Sequence, residues 1–133
     1  MQKTILAYNF TSERLQMLKV LAMMLRVQLR IIEHQQMLQP IGYFAGVQGV
    51  DEVTEIYSGD EAQQEMLILC GFTRPDLDRL LSAVKKSKLK QISLKAMLTP
   101  TNCKWTGLKL HQELLQEHAY MSGNKLPKPK HKV

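Results

Sequence analysis

The sequence predicts an α/β fold in which two β-α-β halves form one small four-stranded sheet, followed by a C-terminal helix. Hydrophobic patterns typical of strands and helices alternate along the chain, and the order strand, helix, strand occurs twice. The two occurrences also resemble each other residue by residue at a constant spacing. The length of 133 residues leaves room for one domain, which we place at residues 1–121, with a tail at residues 122–133.

The first half begins with an apolar run and ends with an alternating one. Residues 5–10 are apolar and rich in strand-forming side chains, and Thr11 then offers a hydroxyl for the N-cap of a helix. That helix carries apolar residues at helical spacing, namely Leu15, Leu18, Leu21, Ala22 and Leu25. Residues 27–31 alternate between apolar and polar side chains, which is typical of a half-buried strand.

The second half repeats this order. Residues 66–72 form an apolar run, Thr73 can cap the next helix, and residues 92–98 alternate as a fourth strand. The helix between them has the apolar residues Leu77, Leu80, Leu81 and Val84. Residues 8–11 correspond to residues 70–73, and both helices can begin with a hydrophobic staple between a phenylalanine and a leucine. We interpret the two halves as an internal repeat.

Two strand orders fit these patterns. The first and third strands are apolar on both faces, which suggests central positions, whereas the second and fourth alternate, which suggests edges. The order 2-1-3-4 with all strands parallel satisfies this, and so does the ferredoxin-like α+β order 4-1-3-2 with antiparallel pairs. Residues 34–65 separate the second strand from the third, and a parallel crossover needs a dozen or more residues. Because Pro40 can begin a short helix over residues 40–46, this connection favours the parallel order, with residues 48–65 as an acidic loop.

The last part of the chain contains a turn, a helix and a tail. Residues 99–102 form the turn, and Thr106 can cap a helix that fades near Tyr120. The apolar side chains of this helix are Leu108, Leu110, Leu114 and Leu115. Residues 122–133 contain glycine, two prolines and four lysines, a composition that predicts disorder.

The net charge of +6 is distributed unevenly. Residues 1–78 carry a net charge of −4, and residues 79–133 carry one of +10. The cations concentrate in two clusters that could hold phosphates, with the members Lys85, Lys86, Lys88, Lys90, Lys128 and Lys130. Every cation after Arg79 is a lysine, and aromatic side chains for base stacking are scarce there. The pattern therefore predicts at most weak, non-specific nucleic-acid binding and argues against specific recognition.

Other protein classes are disfavoured by the composition. We expect no membrane segment and no signal peptide, because no apolar stretch approaches the roughly 20 residues that span a bilayer. Two cysteines are too few for a disulfide scaffold, so the expected location is a reducing cytoplasm. The eight methionines mostly occupy apolar positions, and we interpret them as pliable core residues.

Motifs for catalysis or cofactor binding are missing from the sequence. It has no phosphate-binding loop and no dinucleotide fingerprint, so we expect no cofactor. His111 and His118 lie too far apart on a helix for one metal ion, so no metal site is expected. If the protein is an enzyme, the candidate nucleophiles are Cys70, beside a predicted helix N-terminus, and Cys103, in a turn beside Lys104. Because of this position in a turn, we expect Cys103 to be the exposed thiol of the two. A buried, inert thiol is the alternative for Cys70.

Polar residues at the carboxyl ends of the strands form the predicted ligand site. Ligands of open parallel sheets bind at that edge where the strand order reverses, and two helix N-termini there suit an anion. The residues expected to line this crevice are Asn9, Thr11, Gly71, Thr73, Lys95, Thr99, Asn102 and Trp105. Helix capping and turn closure are the alternative explanation for the same residues.

A family resemblance lies in three stretches of the sequence, residues 39–43, 94–105 and 117–118. In these stretches the sequence resembles a bacterial family of small proteins known as a domain of unknown function (number 3783). The resemblance extends over residues 4–118, and residues 95–102 with Trp105 are its most specific part. It implies a bacterial, cytoplasmic and uncharacterised domain with no activity to carry over.

From the residues, we predict a non-catalytic module with a binding or regulatory role, which would bind a small ligand or a protein; an anionic small molecule and an acidic protein are the candidate partners. An enzyme with a cysteine nucleophile and a weak nucleic-acid binder that uses the lysine clusters are the alternatives.

Overall fold

The computed structural model describes residues 2–121, which form a four-stranded sheet with helices on both faces. The strands are β1 (Thr4–Tyr8), β2 (Gln28–Ile32), β3 (Met66–Cys70) and β4 (Leu94–Met97). The helices are α1 (Ser12–Leu25), α2 (Ile41–Phe44), α3 (Arg74–Lys86) and α4 (Gly107–Met121), and a 3₁₀ turn (His34–Gln36) follows β2. The predicted tail, with Lys128 and Lys130, lies outside the described residues.

The strand order β2-β1-β3-β4 confirms the predicted order, with β1 and β3 in the centre. Each β-α-β half contributes a parallel pair, β1 with β2 and β3 with β4. The prediction that all four strands are parallel is wrong, because β1 and β3 run antiparallel, with Thr4 opposite Cys70 and Tyr8 opposite Met66. The sheet is therefore mixed, and the alternative ferredoxin-like order does not form.

The segment between β2 and β3 is not a parallel crossover, because it does not return from one end of the strands to the other. Because β3 is antiparallel to β1, the end of β2 and the start of β3 lie at the same edge. Residues 33–65 fold over one face instead, where they bury Met37, Ile41 and Phe44 in the hydrophobic core. The length of this segment, which favoured a parallel crossover, is explained by its packing over that face of the sheet.

Hydrophobic clusters fill both sides of the sheet. On one side, α1 and α3 pack next to each other and contribute Leu18, Leu21, Leu77 and Leu80 to the cluster. On the other side, α4 contacts β4 and shares a second cluster with the β2–β3 connection and with residues of the central strands. The molecule therefore has three layers, with the helices of the two repeats together in one of them.

The internal repeat corresponds to a local two-fold axis. At the spacing that relates residues 8–11 to residues 70–73, β1 and β3 begin at equivalent positions, and so do α1 and α3. Leu6 and Ile68, which are equivalent in this repeat, lie opposite each other in the central antiparallel pair. A rotation about an axis between these two residues therefore exchanges the halves. The last strand departs from the repeat, because the first residue of β2 is equivalent to Lys90, whereas β4 begins only at Leu94.

Both repeat helices begin in the same way. The equivalent residues Asn9 and Gly71 have positive φ angles of 68° and 74°, a conformation that asparagine and glycine adopt more readily than other residues. Two residues later, the hydroxyls of Thr11 and Thr73 accept a hydrogen bond from the backbone N–H three positions on. The sequence similarity at residues 8–11 and 70–73 therefore encodes the same turn and the same N-cap.

Two ion pairs occupy equivalent positions with their charges exchanged. Lys3, just before β1, pairs with Asp76 in the first turn of α3 at 2.9 Å. Glu65, just before β3, pairs with Arg14 in the first turn of α1 at 2.6 Å. Lys3 is equivalent to Glu65 in the repeat, and Arg14 is equivalent to Asp76. In each half, the residue just before the central strand therefore forms an ion pair with the first turn of the other half's helix.

Candidate functional site

The single crevice expected at the strand ends does not form, because the central strands are antiparallel. Asn9 and Thr11 follow β1 at one edge of the sheet, whereas Gly71 and Thr73 follow β3 at the opposite edge. The length of the central strands separates the two groups by about 15 Å. A ligand-binding role for either group alone stays a prediction.

Asn9 holds part of the chain in place. Its side-chain amide donates hydrogen bonds to the carbonyl oxygens of Ala62 and Gln64, at 2.7 and 2.9 Å. Its amide oxygen lies 3.1 Å from Nδ1 of His34, whose Nε2 lies 3.2 Å from the carbonyl oxygen of Gly59. Asn9 and His34 thus anchor the segment that leads into β3.

Thr73 and Asp76 form a capping box at the start of α3. The Thr73 backbone N–H and hydroxyl each donate to Asp76 Oδ2 at 2.8 Å. Asp76 also accepts hydrogen bonds from Lys3 and Arg79, and its side chain is only 5% exposed. The hydrogen bond from Lys3, together with those from Thr73 and Arg79, holds the Asp76 pKa well below its usual range. The helix N-terminus that was expected to bind an anion is therefore already occupied by a carboxylate of this chain.

Asn102 closes the loop after β4. Its amide oxygen accepts from the Thr99 N–H at 2.8 Å, and its amide nitrogen donates to the carbonyl oxygen of Met97 at 3.0 Å. Its backbone N–H donates to the Thr99 hydroxyl at 3.0 Å, and the residue is 1% exposed. These contacts are those of turn closure, the alternative explanation for the residues of the predicted site.

Lys95 and Trp105 also have local partners. The Lys95 ammonium donates to the carbonyl oxygen of Ile92, and partial burial lowers the Lys95 pKa. The Lys109 ammonium lies 4.3 Å from the centre of the Trp105 ring, in a cation–π contact. Lys95 and Trp105 are thus engaged within the fold, as Asn9, Thr73 and Asn102 are.

Both cysteines are buried free thiols. Burial raises the pKa of Cys70 to about 12, so this thiol stays neutral at neutral pH and lacks the thiolate that a nucleophile needs. Cys103, expected to be exposed, is 8% exposed, and its Sγ lies 3.4 Å from the carbonyl oxygen of Pro100. This environment of Cys70 argues against the enzyme hypothesis that relies on it.

The histidines on α4 show no metal-site geometry. His111 is fully buried, its Nε2 lies 3.2 Å from the carbonyl oxygen of Gln64, and burial lowers its pKa. Within residues 2–121, no three or more His, Cys, Asp and Glu side chains come together in a way that could hold a metal ion.

An exposed apolar surface on α1 was not predicted from the sequence. We expected the methionines to fill the core, but Met23 and Met24 are 77% and 70% exposed, and Val20 is 55% exposed. The helix carries apolar residues on more than one face, so its spacing alone does not show which of them remain uncovered. A signal was present in residues 20–25, which are all apolar and extend over more than one full turn of the helix, so that one core cannot cover all of them.

An open groove of about 650 Å³ lies between α1 and α3. We name it the α1–α3 groove, and its lining residues are Met17, Val20, Leu21, Met24, Leu25, Arg79, Ser82, Ala83, Lys86, Ser87 and Lys88. Each α1 residue in this set has its repeat equivalent on the opposite wall. The groove therefore lies on the local two-fold axis.

The two walls of the groove differ in chemistry despite their equivalent positions. Val20 corresponds to Ser82, and Met24 corresponds to Lys86. The α1 wall is entirely apolar, whereas the α3 wall carries cations and small side chains. Two residues of the predicted lysine cluster, Lys86 and Lys88, belong to this wall, so the structure places part of that cluster beside an apolar surface.

A second cleft of about 500 Å³ runs between β2 and α2. Its central cation, Arg30, is already engaged, because the guanidinium lies 5.2 Å from the centre of the Phe44 ring and donates to the Phe44 carbonyl oxygen. The α1–α3 groove is the stronger candidate, because it combines two exposed cations with two exposed apolar side chains, namely Lys86, Lys88, Val20 and Met24.

Comparison with known proteins supports the family resemblance for part of the chain. A family described as "Domain of unknown function (DUF3783)" matches residues 65–121, the segment from the start of β3 to the end of α4. This match includes the stretch from Leu94 to Trp105, whereas residues 39–43 lie outside it. Searches of curated proteins and of solved structures find no match. No helix within residues 2–121 is long and apolar enough to cross a membrane.

Proposed function

We propose that this chain is a non-catalytic protein-binding module and that its binding surface is the α1–α3 groove. The partner presents an acidic segment that also carries apolar side chains. Its apolar side chains contact Val20 and Met24 on one wall, and its carboxylates face Lys86 and Lys88 on the other.

The observation that carries this proposal is the divergence of two equivalent walls. Burial of the α1 wall by a partner contributes about 25 cal/mol per Å² of apolar surface removed from water. Cations on the rim add specificity and speed association with an acidic partner. A surface that combines both therefore fits an amphipathic acidic segment.

The two other ligand classes match this surface less well. A nucleic-acid backbone would engage the lysines but leave the apolar wall exposed to water. A small anion is held by converging, fixed donors, whereas the lysine side chains at the groove are exposed. The apolar wall therefore favours a protein partner.

The test uses a short synthetic peptide that alternates glutamate and leucine, with binding followed by fluorescence anisotropy. We expect Met24→Glu and Lys86→Glu each to weaken binding about tenfold, a change typical of a central interface residue. Met23→Glu and Lys85→Glu are the matched controls, because these exposed neighbours do not line the groove. The controls should bind as the wild type does.

Two results would contradict the proposal. One is equal weakening by the groove variants and their matched controls, which would leave only a general effect of charge. The other is tighter binding of a random-sequence DNA duplex that depends on Lys86 and not on Met24, which would favour the nucleic-acid alternative.

A further inference from the structure

The acidic segment between α2 and β3 is held at defined points. We name residues 51–61 the acidic strap. The Gln39 side-chain amide bonds both the N–H and the carbonyl oxygen of Val53, and the Tyr57 N–H donates to the carbonyl oxygen of Gln35 at 3.0 Å. Residues 54–56 lie between these anchors and are exposed. The strap therefore presents its middle residues on a fixed support.

The strap combines an apolar side chain with acidic ones. Ile56 is 70% exposed and follows the exposed Glu55. The carboxylates of the strap, all on exposed residues, are Asp51, Glu52, Glu55, Asp60 and Glu61. None of them forms a salt bridge with another residue in the described part of the chain. This is the partner chemistry that the α1–α3 groove requires.

The strap and the groove lie on opposite sides of the sheet. Tyr57 and Ala62 pack against the cluster that includes α4, whereas the groove lies between α1 and α3 on the other side. The sheet separates them within one chain, so a strap reaches the groove of a second copy only. Contacts of this kind join different surfaces of the two copies and are head-to-tail.

We propose that the acidic strap of one copy docks in the α1–α3 groove of another, with Ile56 against Met24 and Glu55 near Lys86. This proposal rests on the proposed function, because it names a second copy as the acidic partner of the groove. The contact is reversible, weakens as salt rises, and is displaced by another acidic segment that binds the groove.

The experiment uses the full chain in sedimentation velocity runs at increasing protein concentration. We expect the wild type to associate and Ile56→Ser and Met24→Glu each to raise the dissociation constant about tenfold. An equimolar mixture of the two variants should recover a dimer, because the groove of one and the strap of the other remain intact. It should form no larger species, since each pair has only one intact interface. Met23→Glu is the control and should associate as the wild type does.

The outcomes separate this inference from the proposed function. A monomeric wild type that still binds the glutamate–leucine peptide overturns the strap contact and leaves the groove as a binding site. Association that persists in Met24→Glu, or a mixture that stays monomeric, also overturns the strap contact. Failure of both self-association and peptide binding removes both proposals.

Discussion

Asp76 has both local and distant partners. It lies three residues after Thr73, a spacing typical of the capping box that the structure shows. Its ion pair with Lys3, far away in the chain, could not be predicted, because it depends on β1 and β3 being antiparallel neighbours. Local partners of a residue follow from spacing, whereas its distant partners follow from the topology.

The lowered pKa of Asp76 predicts a specific dependence of stability on pH. Because its pKa in the folded state lies below the unfolded value of about 3.9, the carboxylate stabilises the fold above that pH. The contribution is lost as the pH falls through the folded-state pKa. We expect Asp76→Asn to lower the melting temperature at neutral pH, with a difference from the wild type that shrinks below about pH 4. Thermal unfolding across a pH series measures this difference.

Asp78→Asn is the control for this measurement. Asp78 lies on the same helix, but its side chain is 64% exposed and its Arg74 partner is 77% exposed. Exposed pairs of this kind contribute little to stability. A pH-independent effect of Asp76→Asn, or one equal to that of Asp78→Asn, would contradict the role given to Asp76.

At the scale of elements, the central and edge positions of the strands were predictable, but the direction of the central pair was not. Fully buried β3, with its run of apolar residues, had to lie inside the sheet, and the alternating β4 had to lie at an edge. The same side chains satisfy parallel and antiparallel neighbours. The direction instead follows from where residues 33–65 pack, which depends on burial of Met37 and Phe44 that no local pattern reveals.

The N-caps of the repeat helices predict unequal effects of the same substitution. Thr73 belongs to a reciprocal capping box, whereas Thr11 accepts a single hydrogen bond at 3.4 Å. We expect Thr73→Ala to lower the free energy of unfolding by about 1 kcal/mol, a typical cost of losing an N-cap. Thr11→Ala should cost less. Chemical denaturation of both variants gives the ranking, and a larger loss for Thr11→Ala would show that the capping box adds nothing to α3.

At the scale of the whole molecule, the local two-fold axis relates the fold to the candidate site. The repeat was visible in the sequence from residues 8–11 and 70–73, but its axis required the pairing of Leu6 with Ile68. Met24 and Lys86 are equivalent in the repeat and line opposite walls of the α1–α3 groove. The same position of the repeat is therefore apolar on one wall and basic on the other. The groove could not be predicted from the sequence, because the sequence does not show that α1 and α3 share a face.

The exchanged ion pairs predict coupling between the two halves. Arg14 bonds both carboxylate oxygens of Glu65, at 2.6 and 2.9 Å, and the two side chains are only 29% and 21% exposed. A double-mutant cycle with Arg14→Ala and Glu65→Ala should therefore give a coupling free energy of about 1 kcal/mol, because bidentate charged hydrogen bonds are among the stronger ones. The same cycle on the exposed pair Arg74 and Asp78 should give about 0.3 kcal/mol. Equal coupling in the two cycles would mean that Arg14 holds no special contact between the halves, and that the exchanged charges are incidental to the symmetry.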